Sequence, residues 1–139
     1  MMINDRMPEY VAERASKILN RFKKSVNGAK ILILGVAYKQ DIKDFRESPA
    51  LDVINELVKE GAQIVYYDPF ILEYEDHHGK RKTGELQLTE NLLKKADLVV
   101  VTTAHTTIDY HFVQQHANII FDTKNAMKNV KNRTNIELL

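Results

Sequence analysis

Residues 30–60 read KILILGVAYKQDIKDFRESPALDVINELVKE, and this stretch decides the fold. Ile31, Leu32, Ile33 and Leu34 form an unbroken apolar run, which suits a strand covered on both faces, as in a parallel sheet. Gly35 ends the run. Ser48 is placed to cap a helix and Pro49 fits its first position. Ala50, Leu51, Ile54, Leu57 and Val58 then recur at helical spacing until Gly61 closes the helix. Ligands of open α/β sheets sit at the carboxyl ends of the strands, so chemistry is sought in the loop from Gly35 to Glu47, which carries Lys39, Lys43 and Arg46.

On the N-terminal side, Tyr10, Val11, Ala15, Ile18, Leu19, Phe22 and Val26 fall three and four apart, predicting an amphipathic helix from Pro8 to Val26 with Pro8 in its first turn. A helix ahead of the first strand belongs to no strand-helix-strand crossover. It is expected to lie across the sheet or to be the tail of a longer connecting helix. On the other side, Gln63 to Tyr67 is a second strand, ended by Asp68-Pro69 and expected to run parallel to the first in a right-handed crossover. Residues 71–87 are polar and read as an excursion in which two short strands could pair. Thr89 caps a short helix to Lys95, Leu98 to Thr103 is a largely β-branched strand, Asp109 to Gln115 a further short helix, and Asn118 to Asp122 a fourth strand. From Lys124 on the chain is basic and rich in asparagine, and its last residues are expected to fray. The alternation predicts an α/β fold, a Rossmann-like doubly wound parallel sheet of about four to six strands preceded by an N-terminal amphipathic helix. Residues 1–27 read as the tail of a connecting helix and 28–139 as the α/β domain.

The chain of 139 residues has the length of one ordinary domain. Twenty Lys and Arg against nineteen Asp and Glu give a formal charge of +1, so no global field favours nucleic acid or an anionic membrane. Any anion site must be local. The absence of cysteine removes disulfides, thiolate metal sites and a cysteine nucleophile, and it suits a cytoplasmic setting. No apolar run approaches the roughly 20 residues of a membrane span, and the N-terminus lacks the form of a secretion signal. Met1 and Met2, followed at once by Ile-Asn-Asp, suit an engineered or mid-protein boundary as well as a native start.

The first strand-to-helix loop is not a dinucleotide fingerprint, because that motif needs several glycines for backbone amides to approach a pyrophosphate and only Gly35 is present. Negative charge would have to be met by side chains. Lys39 offers a point charge, Arg46 a two-pronged donor, and Tyr38 an aromatic face beside the cation. Spacing equally allows Lys39, Lys43 and Arg46 to pair with Asp41, Asp44 and Glu47 as an exposed charge cluster worth little. Asp68 stands where dinucleotide-binding folds place a ribose-binding acid, but Pro69 after it favours a turn-capping role. His105 and Lys124 follow the third and fourth strands at the same sheet edge as Lys39. His105 could line a cleft or be a plain loop histidine. The adjacent His77 and His78 make a poor metal cage, and no metal site is expected. No catalytic residue is assigned.

The pieces GVAYKQDIKDFRESPA, YYDP and FDTKN together resemble the C-terminal, UDP-binding domain of the nucleotide-sugar dehydrogenases, NAD-dependent enzymes that oxidise UDP- or GDP-sugars to uronic acids. INDRMPEYV is similar to the junction where that family's long central helix meets this domain. The resemblance implies that Lys39 lies at the nucleotide-sugar with Tyr38 beside it, that Arg46 reaches the cofactor's phosphates, and that Lys124 helps hold the nucleotide where the family usually has arginine. It further implies that NAD is held mainly by an N-terminal domain with a glycine-rich loop. The oxidation of the sugar's primary alcohol, through a thiohemiacetal and a thioester, would use a cysteine that has no counterpart here. The expected partners are a UDP-sugar, NAD and the remaining domains of a parent enzyme that is a homo-oligomer when full-length. The wording of RESPA and DTKN leans toward the branch acting on UDP-N-acetylhexosamines. Two other readings stand beside this one. The chain could be a free-standing module that binds a nucleotide or phosphorylated effector, or a structural unit whose first helix leaves an apolar stripe exposed for association.

Overall fold

In the computed structural model, which describes residues 2–139 with side chains from Met7 onward, Ile31, Leu32, Ile33 and Leu34 all have 0% exposure. Each such side chain contributes about 1.5–3 kcal/mol of burial. Met1, and with it the reading of how the chain begins, lies outside the described residues. The elements run α1 (Met2–Arg21), β1 (Lys30–Leu34), α2 (Pro49–Lys59), β2 (Gln63–Tyr67), β3 (Glu73–Glu75), β4 (Arg81–Thr83), α3 (Glu90–Lys95), β5 (Leu98–Val101), α4 (Tyr110–His116), β6 (Ile120–Asp122) and β7 (Ile136–Leu138).

Five strands form one sheet in the order β2-β1-β5-β6-β7, parallel at every pairing. Because β1 and β5 are covered on both sides, alternate residues feed two cores. Ile31 and Ile33 join Val53, Ile54 and Leu57 of α2 and Val11, Ala15, Ile18 and Leu19 of α1; Leu32 and Leu34 join Leu93 of α3 and Val113 of α4. β1 continues to β2 on one side, whereas β5, its other neighbour, leads to β6 on the far side. The chain therefore reverses direction across the sheet between β1 and β5, and this is the doubly wound arrangement read from the sequence.

Ser48 caps α2 and Thr89 caps α3 through their hydroxyls, as expected. Residues 71–87 hold the two short strands β3 and β4, an antiparallel pair. Tyr74 of β3 packs between Tyr66 of β2 and Phe45 of the first loop, with ring centroids at 5.5 and 5.8 Å, so the excursion braces that loop.

Four expectations need correction. Pro8 does not open α1 but lies inside it, its fixed φ being compatible with helix on both sides at the loss of one amide bond. α1 stops at Arg21 rather than Val26, because Lys23 turns to φ 62 and its amide and that of Lys24 close back on Asn20 and Leu19. The apolar stripe of α1 is not left for association: Val11, Ala15, Ile18 and Leu19 are buried against this chain's own sheet. The C-terminal residues do not fray but pair as β7 with β6. Asn135 fastens their entry by donating to the Gln114 and Ala117 carbonyls, Arg21 meets Glu137 at 2.9 Å, and Arg14 donates to the Leu138 carbonyl.

Candidate functional site

The carboxyl ends of β1, β5 and β6, adjacent in the sheet, carry the loops with Lys39, His105 and Lys124. The crevice between β1 and β5, the usual ligand position of such a sheet, is filled by protein. Thr102 donates its hydroxyl to the Leu34 and Gly35 carbonyls, and Thr103 donates its own to the Ala37 carbonyl. These turns also explain why β5 ends at Val101, two residues before the strand read from the sequence.

Backbone anion sites are closed as well. The amides of Val36 and Ala37, which would cradle a phosphate in a glycine-rich loop, donate instead to Asp68 Oδ2 at 2.8 and 3.0 Å. At the start of α2, Pro49 has no N–H and the Ala50 amide is taken by Ser48 Oγ. An anion at the turn after β1 or at the start of α2 would therefore find these amides taken.

Asp68 is 1% exposed and accepts five hydrogen bonds. Its Oδ1 takes the Phe70 and Ile71 amides, the expected turn cap, and its Oδ2 takes Val36, Ala37 and His105 Nε2. Burial pushes this carboxyl up, but the His105 N–H and the Phe70 and Val36 amides outweigh it and hold it below the ordinary carboxylate range.

Tyr38 is 48% exposed, and Lys39 Nζ lies over its ring at 5.8 Å. Lys39, Lys43 and Lys124 are exposed, and among the described residues none is in an ion pair with a carboxylate. Arg46, with 81% of its side chain exposed, pairs with Asp44 through Nε at 3.1 Å. The charge-cluster reading thus holds for Arg46, in a pair that water screens heavily. His105, unlike the rest, has no exposed side-chain surface: Nδ1 accepts from the Asp41 amide at 2.8 Å and Nε2 meets Asp68 at 2.9 Å. It lies beneath the site rather than in it. Tyr38, Lys39 and Arg46 lie on the loop after β1 and Lys124 on the loop after β6, at the same edge of the sheet, and His105 is buried beneath the β1 loop, bonded to the Asp41 amide.

Asp41, offered by the spacing only as a partner for the loop cations, accepts instead from the Thr106 amide and hydroxyl at 2.9 and 2.7 Å and has a left-handed φ of 59°. Glu47 and Asn125 have similar angles, 58° and 55°, so among the described residues three of the four non-glycine residues with positive φ flank these loop cations. Such strain gathers at functional loops. Aspartate and asparagine tolerate it best, and that was the one available signal. No group of histidines and carboxylates suited to a metal occurs among the described residues, and no helix there is long and apolar enough to cross a membrane.

Residues 32–129 match the model of the UDP-glucose/GDP-mannose dehydrogenase family, UDP binding domain. The chain is 36% identical over 104 residues to a UDP-N-acetyl-D-mannosamine dehydrogenase of Campylobacter jejuni, covering 74% of this chain and 25% of that one. It is 32% identical over 135 residues to the enzyme of the same name from Methanococcus maripaludis, covering 91% and 29%. It thus spans between a quarter and three tenths of the length of these curated relatives. Among solved structures, the UDP-N-acetyl-mannosamine dehydrogenase Cap5O of Staphylococcus aureus superposes with a TM-score of 0.71 at 27% identity, over 99% of this chain and 31% of that one.

Proposed function

Because the chain belongs to the UDP-glucose/GDP-mannose dehydrogenase family and matches its UDP-binding domain, we propose that it forms the nucleotide-binding part of an enzyme that oxidises the primary alcohol of a UDP-sugar to a carboxylate. The observation that carries this reading is the sheet edge itself. The Val36, Ala37 and Ala50 amides are occupied by Asp68 and Ser48, while Lys39 and Lys124, which among the described residues have no ion pair, follow β1 and β6, the two strands that flank β5. A diphosphate spanning the two loops would be met by point charges, with the nucleoside or sugar against Tyr38. His105 acts from below, by holding the loop.

A dinucleotide fits this chain poorly as a principal ligand, since its pyrophosphate would need the amides that Asp68 already holds. The chain offers NAD one exposed guanidinium, Arg46, which would exchange Asp44 for a phosphate. The rest of the NAD site belongs to other domains of the parent enzyme. Residues 1–27 then correspond to the end of a connecting helix and 28–139 to the nucleotide-binding unit. The names of the two sequence relatives favour a UDP-N-acetylhexosamine as the sugar nucleotide.

Calorimetric titration with UDP tests the reading. Lys39→Ala and Lys124→Ala should each weaken UDP binding about 5- to 30-fold, the loss of one charge-assisted contact, and neither should affect folding because both side chains are exposed. Arg46→Ala should leave UDP binding within about twofold. The chain by itself should reduce no NAD with any UDP-sugar. Equal UDP affinity in the wild type and both lysine variants would refute the assignment.

A further inference from the structure

Residues 36–41 form an arch over the first strand end, with Tyr38, Lys39 and Gln40 exposed at its top. Both feet of the arch stand on one buried pair. At the near foot, Val36 and Ala37 donate to Asp68 Oδ2, the same oxygen that meets His105 Nε2. At the far foot, the Asp41 amide donates to His105 Nδ1 at 2.8 Å. An amide can only donate, so Nδ1 carries a lone pair, and the imidazole proton is on Nε2, directed at the Asp68 carboxylate. One tautomer alone satisfies both feet.

The surroundings fix that ring. Phe70 packs on it with centroids at 4.9 Å, the Tyr110 hydroxyl donates to the His105 carbonyl at 2.8 Å, and Asp41 Oδ1 stands 3.8 Å from Nδ1. Thr106, the next residue, takes both carboxylate oxygens of Asp41 and so holds its left-handed backbone in place. We infer that His105, as its neutral Nε2–H tautomer, is a positioning residue that with Thr106 clamps the 36–41 arch and sets the approach of Lys39 to the bound nucleotide. It touches no ligand. This inference rests on the proposed binding of a nucleotide diphosphate at Lys39 and adds to it the part that preorganises the loop.

Two measurements on the whole chain test it. Without ligand, ¹⁵N spectra of the His105 ring should show a protonated Nε2 and an unprotonated Nδ1, with scalar coupling from Nδ1 to the Asp41 amide nitrogen. A protonated Nδ1, or no coupling, overturns the clamp whether or not UDP binds. With UDP, Thr106→Val, an exposed change that spares the buried pair, should weaken binding about two- to fivefold and raise the mobility of the Tyr38–Gln40 amides. His105→Phe, which keeps a ring against Phe70 and loses both bonds, should cost about tenfold, and His105→Gln, which restores one donor and one acceptor, should recover part of it. Unchanged affinity and mobility in a folded Thr106→Val protein would also overturn the clamp. A wild-type chain that shows the ring signature and no UDP binding would refute the nucleotide reading and, with it, the role assigned to the clamp, while leaving the hydrogen-bond geometry intact.

Discussion

Asp68→Ala lowers the stability of this domain by about 3–5 kcal/mol, close to the whole margin of a marginal fold. Four backbone amides and the His105 N–H lose their acceptor together. Each buried donor left alone costs about 1–3 kcal/mol, and the sum is reduced as the loops relax and admit water. In urea the midpoint should fall by about 2 M. Asp68→Asn keeps the shape but turns an NH₂ toward one of the two sets of donors, so it is no silent replacement. It also isolates the titration. The carboxyl of Asp68 is depressed in the fold, so its contribution is complete above its unfolded value of about 3.9 and is lost as pH falls through the lower folded value. The wild type should therefore lose stability below about pH 4, and Asp68→Asn should lose less over the same interval. Identical acid limbs would show that Asp68 is not the linked group.

Gly35→Ala has the next largest effect. Gly35 has φ +95° and its Cα faces Thr103, so an added Cβ would run into the Thr103 Cβ and come within 2.8 and 2.9 Å of its backbone oxygen and nitrogen. The backbone at Thr103, just past β5, cannot yield without breaking the bonds that the Thr102 and Thr103 amides donate to the Leu34 carbonyl. The left-handed conformation and the overlap together should cost about 2–5 kcal/mol. Gly79→Ala separates the two terms, because Gly79 has φ +76° and nothing within 4 Å of an added Cβ. It should cost about 1–2 kcal/mol. If denaturation places both variants at the same midpoint, the contact between the two strand ends is not the constraint described.

Local patterns carried most of the fold. The run at Ile31–Leu34, the helical spacing after Ser48 and the Thr89 cap all depend on residues within about four positions of one another, and each element formed where it was read. The strand Ile136–Leu138 was missed because three residues show no alternation and its entry is set by Asn135 bonding to residues 18 and 21 positions away. The loops of the candidate site were legible by the same rule. Tyr38, Lys39, Arg46 and Lys124 sit in loops whose places follow from strand order, and their residue types announce their chemistry. Sequence alone leaves His105 open between a cleft residue and a plain loop histidine, because its partners, Asp68 and the Asp41 amide, are 37 and 64 positions distant. Asp68 was recognised as a turn cap from Pro69 beside it, but its hold on Val36 and Ala37 depends on two strands lying side by side. A buried polar pair has no sequence period, so nothing in a single chain marks it.

The proposed binding of a nucleotide by the side chains of this sheet edge, where the Val36, Ala37 and Ala50 amides are already taken, has a direct test. A titration of the ¹⁵N-labelled chain with UDP, followed residue by residue, tests it most directly. Amide shifts should gather at residues 35–46 and around Lys124, with Lys39 and Lys124 side-chain signals moving at the same concentration and the amides of β3 and β4 unmoved. No response at millimolar UDP, or shifts gathered away from these two loops, would contradict it.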